Sequence, residues 1–537
     1  MPVTTSYPGI YIQELPSSTH TITASPTNIA VFIGYTHPLK TPSANWGTPV
    51  QIFGVMDYQR QFGGFVRSAA FANAAGHFGD MATAVNQFFL NGGTNAYIVA
   101  LEAKAATSTA SVTVGALTFS AREITDEVFT MSLTIRLISG TTQSDEIADI
   151  FVSYGPKSGV GTVNEVFRRV GLNATLADGT ADPNYILTRI GTAAAPVSSL
   201  VTVALGTPPV LYPATATTLT FPASLPGATA LFNAADFTAV MQQDTALDKL
   251  AIFNLMVIPG VTDTLVVSTA LAFCEAKRAF MILDPPLTDS ADGTDPAYPH
   301  KVQDTISDPS MPHSKNGGFY FPYLKSPDPL TGAATNAATG KTNEIPPSPT
   351  VAGIFAATDL ARGVWKAPAG FQATTANTTG VVDRGRMTDM RQGTLNPLGV
   401  NCLRDFPNIG TAVFGARTLV TLTDEQWRYV PVRRMALFLE QTLYANLGWV
   451  VFEPNDTPLW SAIEMSVGSF MLGLFRQGAF QGTTPSQAFS VQCNSQTTTQ
   501  QDIDNGIVNI VVAFAPLKPA EFVVITIAQL AGQSANG

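Results

Sequence analysis

The sequence predicts a multidomain protein of mixed α/β and α+β class. Three observations carry this. Apolar strand-like runs alternate with helical stretches over residues 29–101, and the alternation resumes after about residue 229. Between them, from Ala105 to Ala228, the chain is rich in Thr, Ser, Ala, Gly and Pro and reads as short strands. From about Asn396 onward two long helical stretches are followed by apolar strands. At 537 residues the chain is too long for one ordinary domain.

In chain order, the first 25 residues carry Pro2, Pro8 and Pro16 around one strand-like run, Ile10-Tyr11-Ile12-Gln13-Glu14. An arm with a single strand has no core of its own and must lie on another surface. Ile29–Tyr35 predicts a buried strand. Asp80–Leu90 predicts a helix with Asp80 as N-cap, stopped by Asn91-Gly92-Gly93, and Ala96–Leu101 a second buried strand. This is strand–helix–strand logic, typical of a parallel sheet. Within the Thr/Ser-rich stretch, Phe129–Ile138 alternates polar and apolar residues, as a strand with one wet face does. Helices are expected at Ala234–Lys249, Thr264–Arg278 and Val351–Arg362, and strands at Leu250–Ile258, Ala279–Leu283 and Phe319–Leu324. Further on, Ala412–Val420, Arg428–Val432 and Trp449–Phe452 read as strands, and Arg433–Leu447 and Pro458–Gln477 as helices. Ile507–Phe514 and Phe522–Ile527 read as the last two strands.

Composition excludes several function classes. The net charge is −10 and no basic run occurs, which argues against nucleic-acid binding. Charged residues make up only 13% of the chain and the mean hydropathy is +0.17. A spanning helix needs about 20 mostly apolar residues. Pro516, Lys518, Pro519 and Glu521 interrupt the stretch from Ile507 to Leu530 that comes nearest, and the N-terminus lacks the basic and apolar regions of a signal peptide. The expectation is a protein made in the cytoplasm, without direct membrane insertion, that hides much of its surface in an assembly.

Catalytic and ligand-binding signals are weak. Gly340-Lys341-Thr342 resembles the end of a phosphate-binding loop, but Thr335 stands where its first glycine belongs. There is no H-E-x-x-H and no G-x-S-x-G. His20, His37, His77, His300 and His313 are scattered in loop-like stretches. Asp284 ends a predicted strand, where α/β enzymes often place a functional carboxylate, yet it precedes Pro285-Pro286 and reads as a turn residue. Arg433-Arg434 opens a helix and reads as a solvated face rather than an anion site. Cys274, Cys402 and Cys493 are far apart and read as reduced, packed thiols. No catalytic residue, metal site or cofactor is expected.

Several runs carry a specific resemblance. They are Arg362–Ala369 (RGVWKAPA), Leu395–Asn401 (LNPLGVN), Gly415–Leu419 (GARTL), Trp427–Arg434 (WRYVPVRR) and Trp449–Asp456 (WVVFEPND). Gly478–Gly482 (GAFQG), Thr497–Gly506 (TTTQQDIDNG) and Ala513–Val524 (AFAPLKPAEFVV) follow, and Tyr7–Ser18, Pro26–Tyr35 and Phe88–Val99 precede them. In residue type and order these runs resemble contractile phage tail sheath proteins. The stretch 105–228 resembles nothing that can be named.

The resemblance implies a structural subunit and no enzyme. It implies a subtilisin-like α/β domain without a protease triad, here 26–104 with 229–395. It implies a polymerising α+β domain from both ends, 1–25 with 396–537, and leaves 105–228 as a β-rich, outward-facing insertion. The implied partners are further copies in a helical homopolymer, an inner tube protein, and baseplate and terminal cap proteins, in a phage tail or a phage-tail-like injection particle. The unpaired strands Ile10 to Glu14 and Phe522-Val523-Val524-Ile525 are the candidates for strand donation between subunits. Arg476, near the end of the second C-terminal helix, is the candidate inner-tube contact. The competing readings are a surface adhesin or shell protein with a β-rich insertion, and a degenerate α/β hydrolase.

Overall fold

The computed structural model describes residues 20–66, 81–104, 108–157, 159, 161–176, 178–224, 232–294, 296, 298–329, 333, 335, 343–382 and 387–525. Strand Ile10–Glu14, Asp80, His77 and Gly340-Lys341-Thr342 lie outside them. Two compact units divide the chain: Thr27–Arg433, and Met1–Pro26 with Arg434–Gly537.

The larger unit is built on an eight-stranded sheet. Its strands are β1 (Ala30–Tyr35), β2 (Val50–Ile52) and β3 (Ala96–Leu101), then, after the insertion strands β4 to β10 described below, β11 (Leu255–Val257), β12 (Phe280–Leu283), β15 (Gly317–Phe321), β19 (Val400–Phe406) and β20 (Gly410–Val413). Their order is β2-β3-β1-β11-β12-β15-β19-β20. The six central strands pair in parallel, and β2 and β20 add antiparallel edges. Every residue of β1, β11, β12 and β15 is buried, as in a parallel sheet covered on both faces. Short pairings decorate the sheet: β13 (Asp289–Ser290) with β14 (His300–Lys301), and β16 (Leu324–Lys325) with β17 (Glu344–Ile345) and β18 (Gly380–Val381).

Strand alternation assigns the two faces. Val31, Ile33 and Tyr35 share a core with Phe237 and with Val266, Ala270 and Cys274, residues of α4 (Ala234–Val240) and α5 (Thr264–Lys277). Phe32 points the other way, its ring 5.3 Å from Phe88 of α2 (Met81–Leu90). Phe280 and Tyr320 meet Phe355 of α7 (Pro347–Arg362) on that side. The helices α2 and α7 approach closely because Gly353 has no side chain: a Cβ there would stand 2.5 Å from the Phe88 carbonyl oxygen. The remaining helices of this unit are α1 (Val55–Phe62), α3 (Ile186–Arg189), α6 (Val302–Ser307) and α8 (Asp389–Leu395).

Residues 108–224 form two antiparallel sheets. One is β4 (Ser111–Val114), β5 (Leu117–Ala121) and β9 (Val201–Leu205). The other is β6 (Phe129–Ser139), β7 (Ile147–Pro156), β8 (Val163–Gly171) and β10 (Thr217–Thr220). The alternation read in 129–138 is real: Phe129, Met131, Leu133 and Ile135 are buried and the residues between them are not. These side chains join Phe119, Ile150, Val152 and Tyr154 in a separate core. A buried polar cluster fastens this region to the end of β1. His37 Nε2 lies 3.1 Å from Glu123 Oε2, and the Lys40 ammonium pairs with the other carboxylate oxygen.

The domain boundary read at Leu395/Asn396 is displaced. Strands β19 and β20 lie beyond it yet belong to the eight-stranded sheet, so the larger unit continues to Arg433. Several predicted elements also differ. The helix expected over Ala234–Lys249 ends at Val240, followed by turns in which Asp244 takes φ +63°. The strand expected at Leu250–Ile258 is confined to Leu255–Val257. Arg428–Val432 is not a strand; helix α9 (Val430–Asn446) begins inside it. Ala412–Val420 contributes only the end of β20, because the Ala416 carbonyl accepts from the Val430 N–H, the Thr418 N–H donates to the Arg428 carbonyl and the Leu419 N–H to the Gly317 carbonyl.

The His37–Lys40–Glu123 cluster has a pH signature. Burial alone would raise the Glu123 carboxyl, but the His37 hydrogen bond and Lys40 outweigh it and hold the group at about 2, below its ordinary 4.5. A carboxyl depressed on folding stabilises fully above about pH 4.5 and loses that contribution as pH falls towards 2. His37 acts in the same direction, since burial lowers its pKa and the unfolded ring takes up a proton the folded one refuses. Melting temperatures of wild type and Glu123→Gln are therefore expected to differ most near neutral pH, by about 3 kcal/mol of stability, and to converge between about pH 4.5 and 2. A gap that does not narrow on acidification contradicts this assignment.

Candidate assembly surface

The crevice at the carboxyl ends of the parallel strands is where an α/β sheet places a ligand. Here it is closed by Asp284. Its Oδ1 accepts from the Ser348 N–H at 2.7 Å, and its Oδ2 from the Ser348 hydroxyl at 2.6 Å and the Gly260 N–H at 2.9 Å. Asp284 therefore ties the ends of β11 and β12 to the first turn of α7. Burial raises its pKa to about 6 against those three hydrogen bonds. None of the described histidine rings hydrogen-bonds a serine, threonine or cysteine: His37 binds Glu123, His313 the Leu419 carbonyl, and His20 stacks on Trp449 at 3.8 Å. Among the described residues no three His, Cys, Asp or Glu side chains come together as a metal-holding group.

The sequence runs singled out above are structural joints. Gly363 ends α7 with φ +87°, and a Cβ there would collide with the Trp365 ring at 2.5 Å. Asn401, fully buried, donates to the carbonyls of Phe319 and Arg417 and accepts from the Arg417 N–H, binding LNPLGVN to GARTL. Arg433 and Arg434 are buried, which overturns their reading as a solvated face. The Arg433 guanidinium donates to Asn316 Oδ1 at 2.9 Å and lies 5.0 Å from the Trp427 ring, partners more than a hundred residues away in one case.

The smaller unit contains most of α9, then α10 (Thr457–Arg476), α11 (Pro485–Ala488), β21 (Phe489–Gln492), α12 (Gln500–Asp504) and β22 (Val511–Phe514). Residues Thr23 and Ser25 lie along α9: the Thr23 N–H donates to Asn446 Oδ1 and the Ser25 N–H to Thr442 Oγ1. Trp449–Phe452, expected as a strand, is a 3₁₀ turn at Gly448–Val450, and Phe452 takes φ +71° with its side chain fully exposed. By length and composition α10 is apolar enough to cross a membrane. Its inward residues, Leu459, Trp460, Ile463, Val467, Met471 and Leu474, instead follow the three-to-four spacing of a helix packed on one side. Met465 lies on the opposite, exposed side.

Strands β21 and β22 form a two-stranded antiparallel sheet, Phe489 opposite Phe514 and Gln492 opposite Val511. TTTQQDIDNG returns the chain between them. Thr499 and Asp502 form a reciprocal capping box on α12, and Thr498 Oγ1 accepts from the Asn509 N–H. GAFQG supplies Phe480, 6.1 and 6.0 Å from Phe489 and Phe514, and the Gln481 N–H donates to the Ala515 carbonyl. Of the two strands predicted at the C-terminus, only Val511–Phe514 is one. Phe522, Val523, Val524 and Ile525 form no strand and make no backbone hydrogen bond among the described residues, and they are 75, 81, 87 and 79% exposed. Arg476 is the last residue of α10 and is exposed.

Residues 423–529, spanning nearly all of this region, match the phage tail sheath C-terminal domain family. The C-terminal part of the chain is therefore similar to a phage tail sheath C-terminal domain. The fold of the whole chain agrees with that of known sheath structures. A chain of the anti-feeding prophage baseplate is 21% identical, with 98% of this chain and 99% of that one covered and a TM-score of 0.56. A chain of the contracted PVC sheath complex, from an extracellular contractile injection system, is 21% identical over 98% and 99%, at 0.57. The sheath tail protein of Desulfitobacterium hafniense is 15% identical over 95% and 100%, at 0.54. No curated protein sequence matches this chain.

Replacing Asp284 by Ala leaves the N–H groups of Ser348 and Gly260 buried without acceptors. The expected cost is about 2–4 kcal/mol, read by chemical denaturation. A loss below about 0.5 kcal/mol, within the range of an ordinary surface change, removes Asp284 from its role as the tie at this crevice.

Proposed function

We propose that this chain is the structural subunit of a contractile tail sheath, polymerising as stacked rings around an inner tube and shortening to drive that tube through a target envelope. The observation that carries it is the sheath C-terminal domain at 423–529 within a chain that has the sheath fold from end to end. Structural neighbours occur in assembled particles, in a baseplate and in a contracted sheath. The adhesin, shell and hydrolase readings are not favoured. In this reading the eight-stranded unit is the subtilisin-like body without a triad, residues 105–228 face outward, and terminal cap proteins close the polymer. The chain is made in the cytoplasm and acts in a phage tail or an injection particle, and no step needs a cofactor.

The terminal unit supports strand exchange between subunits. A two-stranded sheet is marginal alone. Phe489, Val491, Val512 and Phe514 are only half-buried, and the exposed Phe522–Ile525 run has the composition of a strand without a ladder. The arm strand Ile10–Glu14 and this run are the two segments to be donated to neighbouring sheets. About five residues add roughly four or five backbone hydrogen bonds at about 0.5–1.5 kcal/mol each. Subunit bodies can then move while the arms keep them joined, and a few kcal/mol per subunit separates the two lattice states.

Deleting Met1–Glu14, or replacing Phe522–Ile525 by Gly and Ser, is expected to leave circular dichroism unchanged while long tubes vanish from electron micrographs. Full-length contractile sheaths from either variant refute strand exchange. Charge reversal at Arg476 is expected to loosen the inner tube and leave sheath–sheath contacts intact. Unchanged co-sedimentation of tube with sheath removes Arg476 from the contact.

A further inference from the structure

RGVWKAPA is used only in part by the fold. Gly363 and Trp365 shape the turn after α7, but Arg362 and Lys366 are not spent on it. Both line a cleft of about 220 Å³ walled by α7 and the segment 366–374, with Ala357, Ala361, Ala367 and Ala373 among its small residues. The lining holds these two cations and no acidic residue. Arg362 Nη1 has one contact, Gln372 Oε1 at 3.4 Å, and the Lys366 ammonium one, the carbonyl of Ala367 at 2.7 Å. Neither makes an ion pair among the described residues. The carbonyls ending α7 explain one cation in its last turn, not a second that is half-buried beside it.

We propose that this cleft receives an aspartate or glutamate side chain from a second copy of the chain in the assembled lattice, its carboxylate held between Arg362 and Lys366. The inference rests on the sheath reading for the presence of a second copy. Charge complementarity favours that occupant, because the chain carries 39 acidic residues against 29 basic ones and any neighbouring copy presents an acid-rich surface. Small alanine walls leave the cleft open to an entering carboxylate, and a guanidinium beside an ammonium supplies both a planar fork and a point charge. Burial first, and then the Arg362 charge, lower the Lys366 pKa, a cost that a carboxylate entering the cleft would relieve.

The test uses tubes assembled from mixed ¹⁴N- and ¹⁵N-labelled full chain, treated with a zero-length carbodiimide that joins amines to carboxylates in contact. Mass spectrometry is expected to find Lys366 linked to an Asp or Glu of a differently labelled chain in tubes and not in monomer. The double variant Arg362→Glu with Lys366→Glu is expected to keep its melting temperature and lose tube yield about tenfold or more at low salt. Lys366→Arg should assemble normally. If Lys366 links only within its own chain, or to nothing while other cross-copy links form, the inference fails. It fails equally if the charge-reversed variant assembles like wild type, and in both cases the sheath reading stands. Wild-type protein that never forms tubes overturns the sheath reading, and the inference with it.

Discussion

A β-strand carries backbone donors and acceptors along both sides, and every one has to find a partner in protein or water. The two units of this chain meet that demand in different ways. The eight-stranded sheet meets most of it internally: six parallel strands lie inside, and only the short antiparallel strands β2 and β20 present edges. Its faces are covered by α4 and α5 on one side and α2 and α7 on the other, so little of it calls for a partner. The terminal unit leaves the demand open. Its sheet has two strands among the described residues, and the four apolar residues 522–525 beyond them are exposed and make no backbone hydrogen bond among the described residues. The molecule thus holds one large sheet covered on both faces and, among the described residues of the terminal unit, a second sheet of only two strands.

The same reasoning explains why an α/β sheet of enzyme-like design can serve as a scaffold. The crevice at the strand ends becomes a binding site when its polar groups point at an empty space. Asp284 instead spends its lone pairs on Gly260 and Ser348, so the loops after β11 and β12 are tied to the start of α7. At the end of β1, His37, Lys40 and Glu123 satisfy one another in the same manner and join the β-rich region to the sheet. Buried polar groups that satisfy one another in this way fix the geometry of the segments they join.

The central sheet was legible where periodicity is strong. Ala30–Tyr35, Ala96–Leu101 and Phe280–Leu283 lie within a residue of their predicted limits because a buried parallel strand is a short unbroken apolar run. Helices α5 and α10 lie within a residue of their predicted limits and α7 starts four residues earlier than predicted; Asp263 caps α5 by accepting from the N–H groups of Leu265 and Val266. Errors fell where partners distant in sequence decide. Arg433 looked solvated because nothing near it in sequence announces Asn316, 117 residues away, as its partner. Trp449–Phe452 has the composition of a strand, yet its backbone turns and leaves Phe452 at a positive φ. The boundary near 396 failed because β19 and β20 read as a new pattern although they extend an old sheet. In the candidate site, the apolar character of Phe522–Ile525 was evident, but a strand exists only with a ladder beside it. The cleft of Arg362 and Lys366 was hidden because a helix end and the following turn build it together.

Low charge takes on its meaning from these details. An apolar surface, an open two-stranded sheet and an uncompensated pair of cations would each destabilise or aggregate an ordinary monomer. In a polymer each becomes a bond to the next copy. Such bonds can also differ in how much motion they tolerate. A strand added through a flexible arm keeps its hydrogen bonds while the attached body rotates, because the turn at its root absorbs the change. A carboxylate seated in a rigid cleft between α7 and the following turn cannot, since a displacement of an ångström or two breaks a charge-assisted hydrogen bond. Contacts of the first kind hold subunits together through a transition, and contacts of the second kind hold in one arrangement and release in another. A lattice that stores a contraction needs both; in the proposed reading the open sheet serves the first need and the cationic cleft the second.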